Sequence, residues 1–280
     1  MKVKKAVIPA AGYGTRFLPI TKGVPKEMLN VAVKPAIHYI VEEAVESGIE
    51  EILIIINEGK ECIKKYFDPS ITYKSIVANE NLKELNALLD KANISFAYQD
   101  DLNGNGGAIL VAEEFANNEP FAVLFGDDVI YNPSNPVTKQ LVNAYEKTGK
   151  TILGVQHRPK HEAIKYGTIE GTTDGRYTKV ETIVEKPSIE EIKSTLCSLG
   201  RFILTPDIFH EIKNVPLQSG EIYLTNAIAQ LINTKGVIAY EFEGRRFDLG
   251  DKFGFLEANI EMGLLVYGER LKEYIANLIS

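Results

Sequence analysis

The sequence predicts an α/β fold: a mixed, mainly parallel central sheet flanked by helices, with a smaller antiparallel region added late in the chain. Two observations carry this. Through about residue 157, short apolar runs rich in β-branched residues alternate with longer segments of helical spacing. Strands apolar on both faces belong to sheets covered on both sides, with right-handed crossovers. After residue 157, strand-like runs joined by turn-rich segments replace the alternation, so antiparallel strands feed back into the sheet.

The elements follow in order. Lys5–Pro9 is a buried strand. Residues 36–47 place Ile37, Ile40, Val41, Ala44 and Val45 at helical spacing, and Gly48 stops them. Glu51–Ile56 is a second strand, 79–92 a helix, 94–98 a strand, 106–115 a helix and 121–125 a strand. A helix at 137–147 and a strand at 151–156 complete the first part. Strands are expected at 166–170, 176–185, 197–204 and 237–242, with helices near 205–213 and 222–234. Residues 251–279 read as a helical tail broken near Gly268. The organisation is one domain over 1–250, in two halves meeting near 157, with a C-terminal helical extension over 251–280.

Composition narrows the function classes. The 280 residues bury a large core. A net charge of −7 argues against general nucleic-acid binding, which needs a basic footprint, but not against a small anion held by a few local cations. The two cysteines, Cys62 and Cys197, are far apart and no Cys/His group has zinc-ligand spacing. No apolar run approaches membrane-spanning length, and the N-terminal run is broken by Pro9 and Gly12, so a cytoplasmic protein without a membrane partner is expected.

The most informative stretch is AVIPAAGYGTRFL at 6–18 with PKEML at 25–29. Gly12 and Gly14 suit a loop whose backbone comes close to a ligand. Thr15 adds a hydroxyl, Arg16 a fork of donors matched to phosphate oxygens, and Lys26 a point charge. Phe17 stands where a dinucleotide fingerprint needs its third glycine, and no Walker A loop occurs. An ordinary strand-to-helix turn is the competing reading of Gly12 and Gly14 alone. Asp127 and Asp128 follow the 121–125 strand, where ligands gather in such sheets. An acidic residue there suits a phosphate-bound divalent metal, and composition does not choose between the two. Asp248 is a second acidic candidate. Glu185 suits sugar hydroxyls and Lys186 a second phosphate, while Gln99 beside Gly104, Gly106 and Gly107 offers donor and acceptor to a base edge.

Taken together, IPAAGYGTRFLPITKGVPKEML, FAVLFGDDVI, YGTIE, VEKP, LGRFIL, GEIYLTNAI and FDLGDKFGF resemble the sugar-1-phosphate nucleotidylyltransferases, and within them the bacterial UTP–glucose-1-phosphate uridylyltransferases. The motifs stand in family order over almost the whole chain. The resemblance implies a single Rossmann-like domain of the nucleotide-diphospho-sugar transferase type, with a nucleotide half to about 157 and a sugar half at 158–250. It implies that Ala11, Gly12, Gln99 and Gly104 meet uracil, that Gly14, Thr15 and Arg16 wrap the phosphates, and that Lys26 holds phosphate at the reacting end. Asp127 and Asp248 would be Mg²⁺ ligands. Gly167, Glu185, Gly200 and Glu221 would surround glucose, with Asp128 and Lys186 on the sugar-phosphate side; Arg16, Lys26 and Lys186 would be the catalytic cations. A homo-oligomer is implied as well.

The chain departs from the family pattern at Val33, Tyr98, Asn105, Gly107, Asn226 and the Ser194–Cys197 segment, near the base pocket and the sugar side. The expected reaction is direct attack of a glucose 1-phosphate oxygen on the α-phosphorus of UTP, giving UDP-glucose and pyrophosphate. The nucleophile is already ionised, so alignment and charge stabilisation carry catalysis. The alternatives are a relative using another base or sugar 1-phosphate, and a non-catalytic nucleotide-sugar-binding paralogue.

Overall fold

The computed structural model describes residues 2–72 and 80–279. In chain order the strands are β1 (Lys5–Pro9), β2 (Asn30–Val31), β3 (Lys34–Pro35), β4 (Glu51–Ile56), β5 (Asn93–Tyr98), β6 (Phe121–Leu124), β7 (Asp128–Tyr131), β8 (Thr151–His157), β9 (Gly167–Asp174), β10 (Tyr177–Glu185), β11 (Leu196–Leu204), β12 (Val237–Glu241) and β13 (Arg245–Asp248). The helices are α1 (Ala36–Glu46), α2 (Glu61–Tyr66), α3 (Lys83–Leu89), α4 (Gly104–Val111), α5 (Glu113–Ala116), α6 (Val137–Thr148), α7 (Lys160–Ala163), α8 (Asp207–Asn214), α9 (Leu224–Thr234), α10 (Lys252–Tyr267) and α11 (Glu269–Ile279).

Nine strands form one sheet in the order β5-β4-β1-β6-β11-β8-β12-β10-β9. The pairs β5–β4, β4–β1, β1–β6 and β8–β12 are parallel, while β6–β11, β11–β8, β12–β10 and β10–β9 are antiparallel. β9 also pairs with the start of β11 through Cys197–Thr168 and Ser198–Gly167. Strands β11, β8, β12, β10 and β9 therefore close a circuit of pairings. This is the expected antiparallel region, and it belongs to the same sheet.

Strand residues alternate between two cores, which is what apolarity on both faces requires. Ala6, Ile8, Ile52, Ile54 and Ile56 point to the side covered by α1, where Ile37, Ile40, Val41 and Ala44 pack. Val7, Leu53, Ile55, Phe121 and Val123 point to the other side, under α4, α8 and α9.

Most expected elements form within a residue or two of their limits. The helix read at 79–92 is observed as the shorter α3, and residue 79 lies outside the described residues. The helix read at 106–115 starts two residues earlier and divides at Ala112 into α4 and α5. The antiparallel ribbon β7–β13 was not foreseen, because each strand is only four residues and carries charged side chains. The tail breaks at Gly268, whose φ of 53° ends α10. Asp251 starts α10 by accepting from Phe253 N and Gly254 N at 2.9 and 3.1 Å. Ala258 and Met262 of α10 are buried, and Phe255 meets Phe17 edge-on at 5.7 Å. Phe253, Leu256, Leu265, Val266 and Tyr267 stay exposed, whereas Phe255 and Leu264 are partly covered.

Candidate active site

A cleft of about 1010 Å³ opens beyond the carboxyl ends of β1, β5 and β6. Its lining holds every site residue read from the sequence: Ala11, Gly12, Gly14, Thr15, Arg16, Lys26, Gln99, Gly104, Asp127, Asp128, Gly167, Glu185, Lys186, Gly200, Glu221 and Asp248. The convergence follows from topology, since ligands of such sheets sit beyond strand carboxyl ends.

The glycine loop leaves β1 and turns at Gly14, whose φ of 65° is left-handed, into a 3₁₀ turn over Thr15–Phe17. The loop is held from behind. Asn57 Nδ2 donates to Ala11 O at 2.5 Å, and Lys60 Nζ donates to Ala10 O at 2.5 Å and Gly12 O at 2.6 Å. The third Lys60 donor meets Glu27 Oε2 at 2.8 Å, with both side chains buried. Three loop carbonyls are thus bound by the protein, which removes oxygens that would otherwise repel a phosphate. Sequence reading missed Asn57 and Lys60; their one signal is a polar pair directly after the apolar β4.

Lys26 Nζ donates to Asp127 Oδ2 at 2.6 Å, and Asp127 keeps 28 % of its side chain exposed toward the cleft. Burial pulls the Lys26 ammonium down, but the Asp127 and Glu27 carboxylates outweigh it and hold it above its ordinary value. Asp127 is likewise pushed up by burial and drawn further down by Lys26, Arg16 and Arg246, so it stays ionised.

Asp128 and Asp248 stand directly opposite in the β7–β13 ribbon. Like charges so placed repel, and Arg246 between them answers it. Its Nη2 lies 2.5 Å from Asp128 Oδ1 and 3.6 Å from Asp248 Oδ2. Asp128 is 4 % exposed, and burial raises its carboxyl to about 6 despite Arg246. Tyr166 bridges the set: its hydroxyl donates to Asp248 Oδ2 at 2.7 Å and accepts from Arg246 Nη1 at 2.9 Å. The structure therefore separates the two adjacent aspartates. Asp127 faces the cleft beside cations, while Asp128 reaches the lining almost wholly buried and paired with an arginine.

On the opposite wall, β9 and β10 place Gly167 and Glu185 side by side. Burial raises the Glu185 carboxyl, with Lys186 at 3.9 Å pulling the other way. Lys186 has a φ of 43°, a left-handed backbone that costs a lysine on the order of 1 kcal/mol or more and marks functional sites. Its ammonium rests 5.1 Å from the centroid of the Tyr223 ring. Gly200, at φ 24°, passes so close to Asp128 that a Cβ would overlap its carboxylate. Gln99, at the end of β5, donates to Asn103 Oδ1 and Gly104 O, both at 3.1 Å. Gly104 needs its φ of 93° and lacks room for a Cβ against Ile222 O, which brings the base-side loop onto the segment carrying Glu221. No group of three or more His, Cys, Asp or Glu among the described residues has the geometry to hold a metal unaided.

The family model described as nucleotidyl transferase matches residues 5–263. The chain is 43 % identical over 269 residues to the UTP–glucose-1-phosphate uridylyltransferase of Staphylococcus epidermidis, covering 94 % of this chain and 93 % of that one. It superimposes on a UDP-glucose pyrophosphorylase solved with UDP-glucose at a TM-score of 0.86 and 39 % identity, over 92 % of this chain and 97 % of the other. It also superimposes on the UTP-bound UGPase of Acinetobacter baumannii at 0.84 and 33 %, over 99 % and 98 %. The chain belongs to the nucleotidyl transferase family.

Proposed function

We propose that this chain transfers UMP from UTP to glucose 1-phosphate, releasing pyrophosphate and UDP-glucose. The observation that carries the reading is the single cleft in which the glycine loop, three cations and two cleft-facing aspartates meet. Relatives bearing that activity in their names, and structures holding UTP-bound and UDP-glucose-bound states, support it.

The roles follow from position. The loop from Ala11 to Arg16, with its carbonyls bound behind by Asn57 and Lys60, receives the triphosphate. Gln99 and Gly104 meet the base, and Gly167, Glu185, Gly200 and Glu221 meet the sugar, so the nucleotide half ends near residue 157 and the sugar half spans 158–250. Arg16, Lys26 and Lys186 offset the repulsion between two polyanionic substrates. The sugar phosphate is already an anion, so no base is needed, and rate comes from alignment and fixed charge. Before substrate enters, Lys26 and Asp127 neutralise each other; an arriving triphosphate gives Lys26 a new partner and frees Asp127. We place Asp128 as the support of this ribbon, holding Arg246.

Asp127 and Asp248 fit a magnesium ion. Both line the cleft, Asp127 is held ionised, and Mg²⁺ is commonly bound by one or two carboxylates with substrate phosphates completing the shell. Such an ion supplies neutralisation of phosphate charge. A cytoplasmic site of action and a homo-oligomer, built on the exposed apolar side chains of α10 and α11, belong to the same reading. Incubating the protein with UTP, glucose 1-phosphate and Mg²⁺, and measuring pyrophosphate and UDP-glucose, tests it. Absence of both products, or equal turnover with other nucleotides or sugar phosphates, would overturn it.

A further inference from the structure

In the base-side loop, Asn105 and Gly107 both take part in one local arrangement centred on Asn103. Asn103 precedes α4 at its N-cap, where an asparagine side chain ordinarily accepts from the amide two or three residues on. Here it makes no such bond. The amide it would cap, Gly106 N, donates instead to Ile222 O at 2.8 Å, while Ile222 N returns a bond to Asn103 O at 2.7 Å. Asn105 Oδ1 adds a third tie by accepting from Leu224 N at 2.8 Å. With its capping role taken over by the 222–224 segment, the Asn103 side chain is free to turn elsewhere.

It turns into the space over Gly107. A Cβ on Gly107 would overlap Asn103 Oδ1, so only glycine admits this rotamer. From there Asn103 Oδ1 accepts from Gln99 Nε2 at 3.1 Å. The second Gln99 amide hydrogen goes to Gly104 O, also at 3.1 Å. A backbone carbonyl only accepts, so the Gln99 nitrogen must be the atom facing this loop and the amide is not free to flip. Gln99 is 6 % exposed and lines the cleft, whereas Asn103 does not line it. Gln99 Oε1 receives no hydrogen bond from any described residue.

We propose that Asn103, admitted by Gly107, is a positioning residue that fixes Gln99 with both donors consumed and its carbonyl oxygen toward the base. This rests on the reading of Gln99 as a base contact given above. An oxygen held there accepts from the N3–H of a uracil and meets a lone pair at N3 of a cytosine. Specificity then arises by setting acceptor against acceptor for the wrong base. Thymine carries the same N3–H and is not distinguished by this device.

The test is direct binding of UTP and CTP by calorimetry, together with steady-state kinetics, on N103A, N103D, N103L, G107A, the double variant N103A/G107A, and Q99A. Loss of one positioned hydrogen bond predicts about three- to tenfold weaker UTP binding in N103A, with the UTP-to-CTP preference falling by the same factor. The KM for glucose 1-phosphate stays unchanged. N103D keeps an acceptor for Gln99 and retains most of the preference, whereas the similarly sized N103L, which fills the space without an acceptor, loses it; a role in packing alone would spare both variants. G107A evicts the Asn103 side chain and behaves like N103A, and the double variant is no worse than N103A. Unchanged UTP affinity and preference in N103A, or additive losses in the double variant, would overturn the proposal. If Q99A itself binds UTP normally, the base contact is wrong. If Q99A weakens UTP binding while N103A does not, the base contact survives and the orienting role falls.

Discussion

At the scale of single residues, the site is a balance of buried charges, and each can be tested by removing one. Lys186 and Asp127 face the cleft without being required by the core. K186A and D127N are expected to fold and to lose about a hundredfold or more in turnover, as when a preorganised donor is removed from an oxyanion site. Pyrophosphate release checks both. Lys60 is different, because its loss leaves Glu27 buried without a partner. K60M should lose about 3–5 kcal/mol of stability in denaturant titration, and its UTP affinity should fall before its affinity for glucose 1-phosphate. Glu185 contributes one pH dependence that can be isolated by substitution. Burial lifts its folded value above the ordinary 4.5, so the folded chain holds this proton more tightly than the unfolded one. Its contribution is therefore fully present below pH 4.5 and is lost as pH rises through the raised value. E185Q without substrate should be more stable than the parent at pH 7, with the advantage gone near pH 4. Thermal unfolding at the two pH values measures this, and weaker binding of glucose 1-phosphate is the expected cost.

At the scale of elements, one buried ion pair joins four of them. Arg201 of β11 grips Glu43 of α1 through Nε at 3.0 Å and Nη2 at 2.7 Å, and Glu43 Oε1 also accepts from Thr138 N and Oγ1 of α6. Arg201 Nη2 donates as well to Asp128 O at 2.8 Å, the first residue of β7. The pair thus fixes the ribbon of Asp128 and Asp248, which Asp127 immediately precedes, onto the helical layer. R201M should cost about 3–5 kcal/mol, since an unpaired charge is left in the core, and R201M/E43L should recover much of it. Chemical denaturation of the two variants checks the difference. The double variant should nonetheless remain slow, because the anchor to β7 is gone.

At the scale of the whole molecule, the cleft lies beyond the carboxyl ends of β1, β5 and β6 on one side and is walled by β9, β10 and β11 on the other. A ligand touching both walls binds only the folded chain, so it must stabilise it. UTP at about a hundred times its Kd is expected to add about 2.7 kcal/mol, seen as a concentration-dependent rise in unfolding temperature. UDP-glucose, reaching the sugar wall too, should also protect, and G200A should lower protection by both ligands. A Cβ at Gly200 meets Asp128 and disturbs the β7–β13 ribbon.

Much of this was legible in the chain. Apolar runs at Lys5–Pro9 and Glu51–Ile56 marked strands whose limits the structure repeats, because residues buried on both faces leave no room for another pattern. The glycine loop, PKEML and GDD marked the ligand side, since phosphate chemistry needs those residue types in short local spacing. The four-residue ribbon β7–β13 was not legible, nor were the contacts of Lys60, Asn57, Asn103 and Arg201. Each joins residues distant in sequence or depends on where a neighbouring segment provides space. The choice between Asp127 and Asp128 shows the limit most clearly. Side by side in the chain, they differ only in that strand pairing aims one at Arg246 and leaves the other at the cleft beside Lys26. The sequence by itself determined the strands of the main sheet, the loop and the kind of ligand. Only the tertiary structure decided which charges meet, because electrostatic partnership is set by distance and burial, and neither is written in local spacing.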